Sequence, residues 1–176
     1  MTIRKILTEP DPFLRQKSKE VAEVNDDIRQ LMDDMLETMY AAPGIGLAAI
    51  QIGVPKRVIV IDLSKEKEGE KKNPMYFVNP KIISKSNQDE TYEEGCLSVP
   101  NQFAEIDRPD KCLIKYLDYN GKETELKAEG LLSTCIQHEI DHLEGILFID
   151  YLSKLKKGMI IKKLSKQKKE LERIVV

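Results

Sequence analysis

Apolar positions recur at helical spacing from Ile28 through Leu31, Met32, Met35, Leu36 and Met39 to Tyr40. They predict a first helix over 25–41, with Asn25 able to cap it and Pro43-Gly44 to stop it. The pattern then changes. Residues 57–62 and 75–79 are rich in β-branched and aromatic side chains and read as short strands, with a charged, glycine-containing loop over 64–73 between them. Residues 111–117 and 122–127 flank Asn120-Gly121, a hairpin turn signal. Helical periodicity returns over 130–143 in Leu132, Cys135, Ile136, Ile140 and Leu143, and Gly145 is placed to end that helix. A basic amphipathic helix is expected over 153–173. Helix, then strands, then helices is the order of an α+β fold rather than a βαβ repeat.

Length and charge narrow the picture. The 176 residues suit one domain over 1–176, with no repeat or low-complexity linker to divide it. No apolar run approaches the ~20 residues needed to span a bilayer, so no membrane association is expected. The start, Met1 to Lys5, lacks the long apolar segment of a secretory signal, and the expectation is a cytoplasmic protein. Three cysteines, an odd number, argue against a disulfide framework. The net charge of −2 is unevenly spread: residues 154–173 hold eight lysines and one arginine against two glutamates, a local net of +7, leaving −9 elsewhere. That asymmetry points to a polyanionic partner near the C-terminus.

The chemistry concentrates in three segments. The two histidines of the chain, His138 and His142, stand four residues apart on the second helix, so both imidazoles share one face and can hold one metal ion. Glu139 follows the first, where a carboxylate reaches water at such a metal: the H-E-x-x-H arrangement of zinc hydrolases. A catalytic site usually needs a third protein ligand, and no histidine follows. Cys96, in a glycine-flanked turn, can supply a thiolate or be a small buried hydrophobe. Cys135 faces the site as pocket lining, with ligation the lesser alternative, and Cys112 reads as strand packing. The stretch from Gly44 to Gln51 contains G-x-G-x-x-A, but a long helix precedes it, which excludes a dinucleotide loop. Gln51, polar among apolar neighbours, must be hydrogen-bonded if buried.

Gly44-Ile45-Gly46-Leu47-Ala48-Ala49-Ile50-Gln51, Glu94-Gly95-Cys96-Leu97-Ser98 and Gln137-His138-Glu139-Ile140-Asp141-His142-Leu143-Glu144-Gly145 resemble, in order, the three signature motifs of peptide deformylases. The resemblance implies antiparallel β-sheets packed around a central metal-binding helix, with helices at both ends. It implies Cys96, His138 and His142 as metal ligands and Glu139 as general acid/base. Gln51 and the backbone N–H of Leu97 then bind the formyl oxygen, with Gly46 close by. Ile45 and Gly95 hold an extended substrate peptide, and Ile45, Glu94, Leu131, Cys135 and His138 surround its methionine side chain. The implied cofactor is one divalent metal ion, iron(II) as the native ion with zinc, nickel or cobalt as substitutes, consistent with a mixed thiolate–imidazole set.

A helical C-terminus without a long insertion resembles the type 1 bacterial class. One position departs: where that class carries an arginine seven residues after the cysteine, this chain has Phe103, while Arg108 is retained. The implied activity is removal of the formyl group from the N-terminal formyl-methionine of nascent polypeptides, with release of formate. The implied partners are those peptides and, through 154–173, the ribosome; a monomer is expected. Two rivals are a general H-E-x-x-H metallopeptidase, distinguished by cleavage of internal peptide bonds, and a non-catalytic metal-stabilised ribosome-binding module, which would have no use for Glu139.

Overall fold

The computed structural model describes residues 1–64 and 69–174, so part of the charged loop expected over 64–73 lies outside the described residues. Helix α1 (Asp26–Ala41) starts as its sequence dictates. The Asn25 side chain accepts from the Ile28 N–H at 3.1 Å, and Asp26 and Asp27 sit at the positive end of the helix dipole. Its buried stripe, from Ile28 to Met39, packs on one face of a five-stranded antiparallel sheet. That sheet has the order β1 (Gly46–Ala48), β2 (Val58–Ile61), β3 (Met75–Lys85), β6 (Lys111–Leu117), β7 (Glu123–Glu129).

Helix α2 (Gly130–Leu143) covers the other face. Strand β2 explains why the sheet can be covered twice. All four of its residues are buried, with Val58 and Val60 in the core under α1 and Ile59 and Ile61 in the core under α2. A separate ribbon, β4 (Asp89–Cys96) and β5 (Val99–Pro109), packs on the side of α2 away from the sheet. The antiparallel sheets therefore enclose α2, as expected. A third core joins Val99 and Ile106 of the ribbon to Phe148, Ile149 and Leu164.

Three strands differ from what the sequence pattern announced. Strand β3 runs on past Pro80 to Lys85, because the proline falls in a register shift between Val78 and Lys81, where it interrupts no pairing. The β4–β5 ribbon has polar, exposed positions over most of its length and so carries little hydrophobic signal.

Helix α2 ends in a Schellman arrangement: the Gly145 N–H bonds the His142 carbonyl and the Ile146 N–H bonds the Asp141 carbonyl. Gly145 has φ +75°, and a Cβ there would run into the Arg15 carbonyl, so a side chain is excluded twice over. Helix α3 (Lys154–Ile174) packs more sparsely than expected. Leu164 is buried and Ile160 half-buried, but Leu155 and Met159 are 74 % and 64 % exposed. Lys157 pairs with Asp150 at 2.7 Å.

The N-terminal residues form a strap. The Thr2 N–H and the Arg4 guanidinium bond Asp34 of α1, the Leu7 N–H bonds the Gln51 carbonyl at 2.7 Å, and the Glu9 N–H bonds the Ser98 carbonyl at 2.8 Å. No helix among the described residues is long and apolar enough to cross a membrane.

Candidate metal and substrate site

Helix α2 presents His138, Glu139 and His142 from its buried interior, each at most 7 % exposed. The turn between β4 and β5 brings Cys96 to them. The Cys96 sulfur and one nitrogen of each histidine all lie within 4.8 Å of one another, and Sγ is 3.3 Å from His142 Nε2. One thiolate and two imidazoles converging from two elements are a fitting donor set for a borderline divalent ion. Cys135 stands outside this group; burial, with Glu139 and Glu94 nearby, pushes its thiol up to about 12, so it stays protonated at neutral pH. Cys112 is buried in β6, as its pattern suggested.

The surroundings of the cluster set its electrostatics. His138 Nδ1 lies 2.8 Å from Glu94 Oε1, which orients the ring and leaves Nε2 for the cluster. Arg108 grips Glu94 with two hydrogen bonds, at 2.7 and 3.0 Å, and reaches Asp141 with a third at 2.8 Å. The Tyr151 hydroxyl donates to the same Asp141 oxygen. Burial would raise the pKa of Glu94, but His138 and Arg108 outweigh it and hold the carboxyl below its usual range. For His142, burial first, then the positive charge of His138 and Arg108, pushes the pKa well below its usual value, so the ring is neutral, the form that ligates.

Glu139 is different. Its Oε2 is buried with no hydrogen-bond partner among the described residues, and burial pushes its pKa up to about 7 against the opposing charge of His138. Its Oε1 occupies the space a Cβ on Gly46 would need, 2.5 Å away, so only glycine lets the carboxylate lie there.

Gln51 is fully bonded, as a buried amide must be: Oε1 accepts from the Ala48 N–H at 2.9 Å, and Nε2 donates to Ser98 Oγ at 3.0 Å and approaches Cys96 Sγ at 3.6 Å. In front of these groups opens a cavity of about 450 Å³, lined by Ile45, Gly46, Gln51, Glu94, Gly95, Cys96, Leu97, Leu131, Cys135, His138 and Glu139. His142 does not line it and closes the cluster from behind. Ile45 and Leu131 are 46 % and 41 % exposed and form its apolar walls.

The sequence reading missed Ser98, wholly buried and the partner of Gln51, although a polar residue ending a glycine-cysteine turn was a usable signal. It also placed Glu94 only at the methionine pocket. Its carboxylate is committed to His138 and Arg108, and no local pattern links residues 44 apart.

The model of the family described as Polypeptide deformylase matches residues 3–158. A peptide deformylase of Pelagibacter ubique is 68 % identical over 176 residues, covering all of both chains. The crystal structure of the Ehrlichia chaffeensis peptide deformylase superposes with a TM-score of 0.90 at 45 % identity, over 96 % of this chain and 98 % of that one. A peptide deformylase of Acinetobacter baumannii, solved with Met-Ala-Ser bound, superposes with a TM-score of 0.80 at 32 % identity, over 86 % and 99 %. The chain therefore belongs to the peptide deformylase family of metal-dependent hydrolases.

Proposed function

We propose that this chain hydrolyses the formyl–nitrogen bond of N-terminal formyl-methionine in nascent polypeptides, releasing formate and a free amino terminus. The observation that carries this reading is Glu139, a buried carboxylate with one oxygen unpaired among the described residues, at the floor of a peptide-sized cavity, next to the Cys96–His138–His142 cluster. Those three residues would hold one divalent ion, iron(II) in the native state, with zinc, nickel or cobalt as substitutes. When bound, the ion lowers the pKa of a coordinated water and polarises the formyl oxygen.

Glu139 takes a proton from the water that attacks the formyl carbon, then gives one to the departing amine. The Leu97 N–H donates to the oxygen as it gains charge, and Gln51 Nε2 joins it by exchanging its long 3.6 Å contact with Cys96 Sγ for that oxygen. Glu94, through His138 Nδ1, keeps the imidazole aimed.

The substrate peptide adds a strand. β1 is the edge of the five-stranded sheet, β4 belongs to a two-stranded ribbon, and Ile45 just before β1 and Gly95 within β4 line the cavity. Ile45, Leu131 and Cys135 form the apolar slot for the methionine side chain. The close packing of Glu139 on Gly46 leaves room for a formyl hydrogen and crowds an acetyl methyl. The same reading makes 1–176 one catalytic domain, a cytoplasmic monomer whose basic α3 meets the ribosome.

Anaerobic purification with metal analysis, coupled to formate release from formyl-Met-Ala, tests it. Formate should appear with about one metal ion per chain, and acetyl-Met-Ala should react far more slowly. Comparable rates on the two peptides, or cleavage of internal peptide bonds, would overturn the reading.

A further inference from the structure

The two histidines of the cluster are aimed by different means. His138 takes its aim from a carboxylate, Glu94 at Nδ1. His142 Nδ1 is buried and has no hydrogen-bond partner among the described residues. Its ring is set instead by the backbone that follows it, and Arg15 closes that turn. The Arg15 guanidinium reaches the Gly145 carbonyl at 3.4 Å, the Arg15 carbonyl packs where a side chain on Gly145 would stand, and the Ser18 N–H bonds the Leu143 carbonyl at 2.8 Å. Asp150 ties this clamp to α3: it takes Arg15 at 2.6 Å, the Leu147 N–H at 3.1 Å and Lys157 at 2.7 Å. The clamp puts a cation behind a metal site. Its charge reaches His142 and lowers the pKa of the ring, after burial and the charges of His138 and Arg108.

Glu9 supplies a counter-charge. The N-terminal strap delivers it: the Glu9 N–H bonds the Ser98 carbonyl, and the side chain, 7 % exposed, lies 3.5 Å from the Arg15 guanidinium. That contact is long, and Glu9 Oε2 is buried with no partner among the described residues. A carboxylate buried on so little hydrogen bonding is costly, so its charge rather than its bonding is the reason for its place. With Glu9 the array sets two carboxylates against two cations, Arg15 and Lys157. Without it, a positive excess stands behind a cluster that must hold a divalent cation. We propose that Arg15 and Glu9 are positioning residues for the metal ligand His142: Arg15 locks the turn that carries the ring, and Glu9 cancels the guanidinium charge behind it. The inference rests on the deformylase reading for its divalent ion.

The test adds cobalt(II) to the metal-free full chain, because its visible absorption reports the ligand set and competition with a chelator gives its affinity. Glu9→Gln keeps the shape and removes the charge. It should weaken cobalt binding by about threefold to tenfold at low salt, with the absorption bands unmoved. Lys157→Gln removes one cation from the same array, so adding it to Glu9→Gln should recover most of that loss. Arg15→Lys keeps the charge and loses the planar fork that spans Gly145, Asp150 and Glu9. It should shift the cobalt bands and weaken binding by about tenfold. Unchanged affinity in Glu9→Gln, or a loss that Lys157→Gln does not lessen, would overturn the charge role. Wild-type bands and affinity in Arg15→Lys would overturn the lock. Cobalt binding without formate release from formyl-Met-Ala in the unmodified protein would overturn the deformylase reading alone.

Discussion

Helices α2 and α3 are both amphipathic in sequence, and the structure uses them in opposite ways. Ten of the fourteen residues of α2 are buried, six of them polar. Among the described side chains of α3, Leu164 is the one buried residue. Buried polar groups are costly unless bonded, and α2 accepts that cost where the partners are in place. Ser133 and Gln137 reach the Pro109 carbonyl, His138 reaches Glu94, and Asp141 reaches Arg108. Thr134 Oγ1, Glu139 Oε2 and His142 Nδ1 have no hydrogen-bond partner among the described residues. The comparison separates two kinds of helix. One is fixed by what it must hold; the other is tethered by a few apolar contacts and the Lys157–Asp150 pair, leaving its surface for encounters.

The largest effect should come from Glu139→Gln. That variant keeps the shape and the metal ligands but cannot carry a proton, so kcat should fall by about 10²–10⁴-fold with metal content unchanged. Near-normal turnover with full metal would mean that α2 buries this carboxylate for some other purpose.

Arg108→Met comes next. It leaves Glu94 and Asp141 without their cation, and removing one partner of a buried pair costs about 3–5 kcal/mol. The loss of support behind His138 should also weaken metal affinity about 10–100-fold. Urea titration of the metal-free protein and metal competition read the two effects separately. A stability loss below about 1 kcal/mol would show that water replaces the guanidinium and that the network is not a buried one.

The smallest effect on stability and chemistry belongs to α3. Reversing Lys162, Lys166 and Lys169 to glutamate changes exposed positions, so stability should move by about 0.5 kcal/mol or less and formyl-Met-Ala turnover should hold. Ribosome co-sedimentation at low salt should be lost, and that of the unmodified protein should fall steeply as salt rises. Retained co-sedimentation would leave these charges as a solvating face.

The legibility of the molecule follows the same division. Helix α1, with its Asn25 cap, and α2, with its Gly145 stop, were readable because each has one end where a single residue obeys a local rule. The Cys96, His138, Glu139 and His142 cluster was readable because residue type and spacing carry the chemistry. The β4–β5 ribbon was not, since Glu90, Glu93, Glu105 and Asp107 face solvent in strands that a hydrophobic pattern would have announced. Nor was the packing of α3: Leu155 and Met159 have the spacing of a buried stripe, and periodicity cannot tell a covered face from an open one. The Glu94–Arg108–Asp141 network depends on a sheet register that brings distant residues together, and no local signal encodes it.

The N-terminal strap makes the site a matter of timing. Leu7 and Glu9 clasp the carbonyls of Gln51 and Ser98, two residues that leave the synthesis machinery long after the strap does. The first residues made must wait, unpaired, until both partners exist. Shortening the strap would therefore loosen the corner of the site held by Gln51 and Ser98, and would also take Ile6 from the core under α1 and Arg4 from buried Asp34. Truncations at this end therefore need an activity assay beside a melting curve.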